Sequence, residues 1–385
     1  MQRYDYIIAG GGLAGLSLAY HINQTALRDK SILIIDKDTK TQNDRTWCFW
    51  EKGEGIFEAV VGQKWDKVYF HGTDFSAVLD IGDYRYKCIQ GINFYNFVKA
   101  DLAKNPNISF KHERIERVKD TSNGGFVITD QSQYIADYVF DSTYALKQNL
   151  PKQHNLLQHF KGWEIVTTEP VFDVSCPTMM DYRVEQRGLG VRFMYVLPQS
   201  STRAMVEYTV FSDQLLPHEE YETELKNYIS EFLQIKNYTI AHVEYGIIPM
   251  TDEPTPDRVG SHVMRIGTSG GNVKASTGYA FRRIQQFNSQ IVKKLLQNKA
   301  PFHSPKTIKN HFKKWLDSVL LNVLLQERAS GKDIFTGLYK NNPTANLFAF
   351  LDEDTNIWQD VRVMSTAPIW AFTKAAADVM VKRVL

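Results

Sequence analysis

Six residues near the N-terminus, Gly10-Gly-Gly-Leu-Ala-Gly15, constrain the fold of this chain more than any others. They follow a short apolar run, Tyr4–Ala9, and open a segment with helical patterning, Gly15–Asn23. A second apolar run, Ser31–Ile35, ends at Asp36. Strand, glycine turn, helix and strand within about forty residues make a βαβ unit, which needs a right-handed crossover. In G-x-G-x-x-G the first glycine (Gly10) permits the tight turn. The second (Gly12) lets a pyrophosphate approach the backbone, and the third (Gly15) lets helix and strand pack closely. Gly11, Leu13 and Ala14 complete a cradle at a helix N-terminus, where backbone N–H groups bind an anion. Asp36 is placed to accept hydrogen bonds from a ribose. The unit therefore reads as a Rossmann-type dinucleotide site.

A second glycine-rich stretch, Gly267-Thr-Ser-Gly-Gly-Asn-Val-Lys-Ala-Ser-Thr-Gly-Tyr279, again leads into a helix. Hydroxylase-like flavoproteins place such a segment near the flavin and ribityl chain, and a nicotinamide dehydrogenase does not need one. The expected cofactor is therefore FAD, with Gly267, Thr277 and Gly278 beside it. Asn43-Asp-Arg-Thr-Trp-Cys-Phe-Trp50 lies just after the nucleotide unit. It reads equally as an aromatic wall near the cofactor, with Arg45 at the cofactor, or as a corner of the core.

The chain has 385 residues, comfortable for two domains, and is 43% hydrophobic and 23% charged, a globular composition. A formal net charge of +2 by itself names no partner, and no nucleic acid is expected. Cys48, Cys88 and Cys176 are far apart in sequence and odd in number, which suits a reducing cytoplasm without disulfides. The histidines, His71 and His159 among them, lack ligand spacing, so no metal is expected. The first strand starts at once, so no leader is expected, and no window approaches ~20 apolar residues.

The fold class is α/β. A Rossmann-type, glutathione-reductase/hydroxylase-like FAD domain spans 1–150 and 256–300. A mixed β-sheet substrate domain is inserted at 151–255, and a C-terminal helical region covers 301–385. Within the insert, Trp163–Thr168, Val191–Leu197, Arg203–Phe211 and Val243–Ile248 read as strands, and Glu219–Leu233 as the one helix.

Alternation along the strand puts Met205, Glu207 and Thr209 on one face. A carboxylate on an apolar face is costly to ionise and should stay protonated, whereas composition alone favours a solvent-facing glutamate. Asp181 has Arg183 two residues on, which suits a structural salt bridge as well as a second catalytic acid.

Taken together, the glycine unit, Asn43–Trp50, Met180-Asp-Tyr-Arg183, Tyr195-Val-Leu-Pro198, Val206-Glu-Tyr-Thr209 and Ser276-Thr-Gly-Tyr279 resemble the bacterial lycopene β-cyclases over nearly the whole chain. The resemblance implies that Glu207 is the functional acid, with Asp181 second. It implies cyclisation of the ends of lycopene to β-rings with no net redox change. Reduced FAD would stabilise the carbocation, and NAD(P)H would serve only to reduce the flavin. Two departures stand out. Tyr208 occupies the place where the family often has a second acid, and Phe140-Asp-Ser142 lacks the arginine often seen just after it. The rival readings are a prenyl-lipid reductase and an aromatic monooxygenase or halogenase of the same fold. The latter usually carry Gly-Asp where this chain has Gly267-Thr268.

From Arg258 to Leu316 there is no Asp or Glu, but twelve Lys and Arg: Arg258, Arg265, Lys274, Arg282, Arg283, Lys293, Lys294, Lys299, Lys306, Lys309, Lys313 and Lys314. Beside them runs an apolar stripe, Phe312, Trp315, Leu316, Val319, Leu320, Val323 and Leu324. The expectation is a cytoplasmic protein held peripherally on a membrane surface, with the basic stretch facing anionic lipid and the stripe a candidate for shallow insertion.

Overall fold

A computed structural model describes residues 2–146, 153–188, 190–302 and 308–384. The division expected at 150/151 and the cation Lys306 fall outside them. The first sheet runs Ile108–Lys111, Ile32–Ile35, Gln2–Ala9, Gln133–Asp141, Gly124–Thr129, Ile115–Thr121, with Val263–Arg265 also pairing with Gln133–Asp141. The central strands are parallel, and Gly124–Thr129 pairs antiparallel with both Gln133–Asp141 and Ile115–Thr121. Ile7, Ile8 and Ala9 are buried, as expected for a parallel strand covered on both faces. The helices Leu13–Asn23 and Phe281–Leu296 pack together on this sheet, and the Asn288 amide bonds the Ala14 carbonyl (3.1 Å) and Ser17 hydroxyl (2.7 Å).

The second sheet is ordered Thr239–Thr251, Asn155–Val166, Arg203–Ser212, Val191–Ser200, Thr178–Asp181, Lys67–Gly72, Phe75–Asp80. Its last two strands come from the first part of the chain, so the substrate unit is not the continuous 151–255 read from sequence. Composition shifts mark where the chain changes pattern, but cannot show that an earlier hairpin adds to a later sheet edge. A small third sheet, Thr46–Lys52, Tyr84–Gln90, Gln63–Trp65, also escaped the sequence reading. It places Cys48 directly opposite Cys88, and both are free thiols.

Alternation along Arg203–Ser212 divides the second sheet's two cores. Ala204, Val206, Tyr208 and Val210 pack under the helix His218–Glu231 with Tyr221, Leu225 and Tyr228. Met205 and Phe211 face the opposite core, shared with the C-terminal helices.

Those helices, Ile308–Leu325, Gly331–Asn341, Thr344–Leu351, Ile357–Met364 and Ile369–Val384, revise the membrane expectation. Val319, Val323 and Leu324 are buried, and Trp315 and Leu320 pack against the same core, so the stripe is not an exposed face. At least four of the twelve cations are paired with acids. Lys274 pairs with Asp317 (2.7 Å) and Glu353 (2.8 Å), and Arg283 also reaches Glu353 (3.1 Å). Arg282 holds Asp352 (2.7 Å) and Asp354 (2.9 Å), and Lys313 holds Asp360 (2.5 Å). The acids that follow the stretch in sequence fold back onto it, so a charge segregation along the chain becomes charge pairing in space. Among the described residues, no helix is long and apolar enough to cross a membrane.

Candidate active site

The two glycine segments line one cavity of about 400 Å³. Gly10 has φ +104°, a turn that side chains resist, and a Cβ on Gly15 would lie 2.0 Å from the Gly10 carbonyl oxygen. A Cβ on Gly12 would meet nothing within 4 Å. The helix that starts at Leu13 has no side-chain cap and no acid in its first turn, so its N–H groups are free to bind an anion. Asp36 accepts a 2.6 Å bond from the Gly11 amide. Gly267 has φ +64° and packs close against Ala14, while Gly278, at φ +73°, sits over Gln158. Gly12, Leu13, Ala14, Arg45, Gly267, Thr277 and Gly278 line the cavity together with Glu207. Gly10, Gly11, Gly15 and Asp36 are not in its lining and support it from behind. These features suit the pyrophosphate and ribose of a dinucleotide.

On the second sheet, strand register builds a row of four residues across four strands. Glu244 pairs with Gly162, Gly162 with Glu207, and Glu207 with Tyr195. Opposed residues in antiparallel strands point to the same face, and Glu244, Glu207 and Tyr195 all line the cavity. The Thr209 hydroxyl donates to Glu207 Oε1 (2.7 Å). Burial, together with the nearby Glu244 carboxylate, pushes the Glu207 carboxyl up to about 8. Glu207 is thus an acid that keeps its proton at neutral pH.

Aromatic faces surround this acid. Trp47, Tyr86, Phe160, Tyr195, Tyr279 and Phe281 line the same cavity. The Tyr195 and Tyr279 hydroxyls lie 3.4 Å apart, and burial raises both phenols, so they stay neutral. The Asn43–Trp50 segment is divided between cavity and core. Trp47 reaches the cavity, while Trp50 is buried and stacks on Phe348 at 4.5 Å. Arg45 lines the cavity too and donates to the Asp44 and Tyr245 carbonyls.

Asp181 lies elsewhere. It is fully buried, outside the cavity lining, and ion-paired with Arg183 (2.5 Å). The Tyr228 hydroxyl also donates to it (2.7 Å). His159 is buried between Ser212 (2.7 Å) and Tyr221 (2.6 Å), and burial lowers it to about 4, so it is a neutral, satisfied histidine. Among the described residues, no group of three or more His, Cys, Asp or Glu could hold a metal ion.

Glu244 and Gly162 escaped the sequence reading. A signal was available, since Val-Glu-Tyr occurs twice in β-rich runs, at Val206–Tyr208 and Val243–Tyr245.

The fold is that of the FAD-dependent flavoproteins with a Rossmann-type domain. The chain is similar to a geranylgeranyl bacteriochlorophyll reductase-like protein from Thermoplasma acidophilum, with a TM-score of 0.69 at 12% identity over 98% of this chain and 100% of that one. It is also similar to a halogenase in complex with FAD, with a TM-score of 0.56 at 12% identity over 97% and 85%. The family described as "Lycopene cyclase protein" matches residues 5–377, and this chain belongs to that family. Neoxanthin synthase, chloroplastic, of Solanum tuberosum is 25% identical over 73% of this chain and 58% of its own length. Lycopene beta-cyclase of Pantoea ananas is 25% identical over 55% and 53%. The alignments thus span little more than half the length of these relatives.

Proposed function

We propose that this protein is a flavin-dependent lycopene β-cyclase, an isomerase that closes the end groups of an acyclic carotenoid into β-rings. The observation that carries the reading is the Glu207 carboxyl, protonated near neutral pH and opening onto an aromatic cavity that the dinucleotide cradle also lines. Lycopene is a hydrocarbon with no polar handle, and cyclising its end group needs a proton delivered to the terminal double bond. Glu207 delivers that proton to the terminal double bond. The cation then attacks along the chain, closes a six-membered ring and loses an adjacent proton.

Tyr195, Tyr279 and Trp47 present aromatic faces to the cation, each contributing about 0.5–2 kcal/mol. Exclusion of water by these rings also protects the cation from capture. FAD, held by Gly10–Gly15, Asp36, Gly267, Thr277 and Gly278 and reduced by NAD(P)H, would supply negative charge beside the cation without itself being consumed. Asp181, tied to Arg183 and Tyr228, braces the second sheet.

The lipid-soluble substrate is collected from a bilayer, to which the protein docks peripherally. Since four cations of the basic stretch are paired and its apolar stripe is buried, the docking face is assigned instead to exposed apolar residues of the last helices. Trp358 is 83% exposed, Ile369 65% and Trp370 67%. Tryptophan at such positions favours the membrane interface.

The test is expression in a bacterium that accumulates lycopene. A change from red to orange, with β-ringed product and no stoichiometric oxidation of NAD(P)H, is expected. Unchanged lycopene beside flavin-loaded protein overturns the reading, and one reductant oxidised per product formed points to a reductase.

A further inference from the structure

Glu244 has no role in the reading above, yet it is only 3% exposed and lines the same cavity as Glu207. Its Oε1 accepts a 2.9 Å bond from the Thr46 amide, while Oε2 is buried with no hydrogen-bond partner. A buried carboxylate oxygen left unpaired is costly, and such atoms concentrate where chemistry needs them. Between the two glutamates stands Gly162. A Cβ there would lie 2.8 Å from the Met205 sulfur and 3.5–3.6 Å from Glu207 Cβ and Cγ, so only glycine lets Met205 and Glu207 pack over the strand that runs between the two acids.

The surroundings of the two acids differ. The groups facing Glu207 are the Thr209 hydroxyl, the Tyr195 and Tyr279 phenols, the Cys48 thiol and Glu244, none of them a cation. Burial raises the Glu244 carboxyl above its ordinary range, but it faces the Thr46 hydroxyl and amide, the Arg45 guanidinium and His242, all of which favour its ionised form. When only one carboxyl of the pair is charged, the charge therefore rests on Glu244 and the proton on Glu207.

We propose that Glu244 is the proton acceptor of the site, taking the proton that leaves the newly closed ring. This rests on the cyclase reading. Glu207 gives its proton to the terminal alkene carbon and becomes a carboxylate. The ring-closed cation loses a proton from the carbon next to the charge, and the C–H electrons become the ring double bond. The Glu244 carboxylate takes that proton and becomes the acid. Transfer of the proton past Gly162 restores the starting state with nothing oxidised or reduced. The cation has removable protons on more than one neighbouring carbon, so the position of Glu244 also selects which ring isomer forms.

Two readouts on the purified protein test this. Glu244→Gln is expected to keep flavin and fold, to slow ring formation about 100-fold, and to divert residual product to ring isomers with a displaced double bond. In pH-dependent infrared spectra, the protonated-carboxyl band that disappears in Glu207→Gln should titrate near 8 in the wild type. In Glu244→Gln its midpoint should fall by a pH unit or more, because the neighbouring charge is gone. If Glu244→Gln does not purify, Glu244→Asp is expected to show slower ring formation and a smaller shift. β-Ring formation at the wild-type rate, or an unmoved midpoint, in the variant that purifies overturns the proposal alone. A wild-type protein that forms no rings overturns the functional reading and the proposal with it.

Discussion

The carboxylate of Asp36 grips the amide of Gly11 at 2.6 Å, tying the end of the second strand to the turn that follows the first. Its other oxygen accepts from the Asp38 amide at 2.8 Å. Each carboxylate oxygen has a second lone pair, so Asp36 can brace the turn and still receive a ribose hydroxyl. Asp36→Ala is expected to fold but to bind FAD at least about tenfold more weakly, the loss of one or more charge-assisted hydrogen bonds. Flavin titration of apo protein measures this, and unchanged affinity counts against the assigned cradle.

The glycines of the turn differ in what they exclude. Gly12 has open space where a Cβ would go, so Gly12→Val should yield folded but colourless protein. Gly15 has none, since a Cβ would lie 2.0 Å from the Gly10 oxygen and 2.8 Å from an Ile8 methyl. Gly15→Val should fail to fold. Circular dichroism and the flavin-to-protein absorbance ratio separate the two effects, and stoichiometric flavin in Gly12→Val contradicts the placement.

Glu207 makes both activity and stability depend on pH. As an acid held at about 8, it donates a proton below that pH, and cyclisation should fall as pH rises above it. The folded value lies above the ordinary 4.5, so the folded state holds this proton more tightly than the unfolded chain. Its contribution to stability is complete below about pH 4.5 and is lost as pH rises through 8. Glu207→Gln should abolish cyclisation, keep flavin and lack this component of alkaline destabilisation. Urea unfolding at pH 6 and pH 9 checks the sign.

Asp181 is buried against Arg183 and Tyr228, away from the cavity. Asp181→Asn should cost about 2–3 kcal/mol of stability, below the usual range for a broken buried pair because Arg183 remains 39% exposed. Turnover per folded, flavin-loaded molecule should stay close to wild type. A large fall in turnover without loss of melting temperature would instead place Asp181 in the chemistry.

For the membrane, Trp358→Ala together with Trp370→Ala should reduce co-sedimentation with vesicles several-fold, and added salt should change it little. Loss of binding at high salt with both tryptophans intact would restore the basic stretch as the docking element.

The nucleotide unit was readable from sequence because its constraints are local. Tight turn, helix start and acidic residue follow one another along the chain, and each glycine answers to neighbours a few residues away. Strand alternation also showed that Met205, Glu207 and Thr209 share a face. Periodicity assigns residues to faces, but it does not say what covers a face or which strand lies beside it. The pairing of Glu207 with Glu244 exists only because Asn155–Val166 runs between their strands in a register that sets Gly162 opposite both. A slip of one residue would turn Glu244 to the other side of the sheet. The basic run from Arg258 and the stripe from Phe312 were read as a surface because nothing in their own sequence neutralises or covers them. Asp317, Glu353 and Asp360 pair with Lys274, Arg283 and Lys313 of that run, and the core of the second sheet covers the stripe. Charge pairing and burial are settled by which distant segments come together, and that was decided by tertiary structure alone.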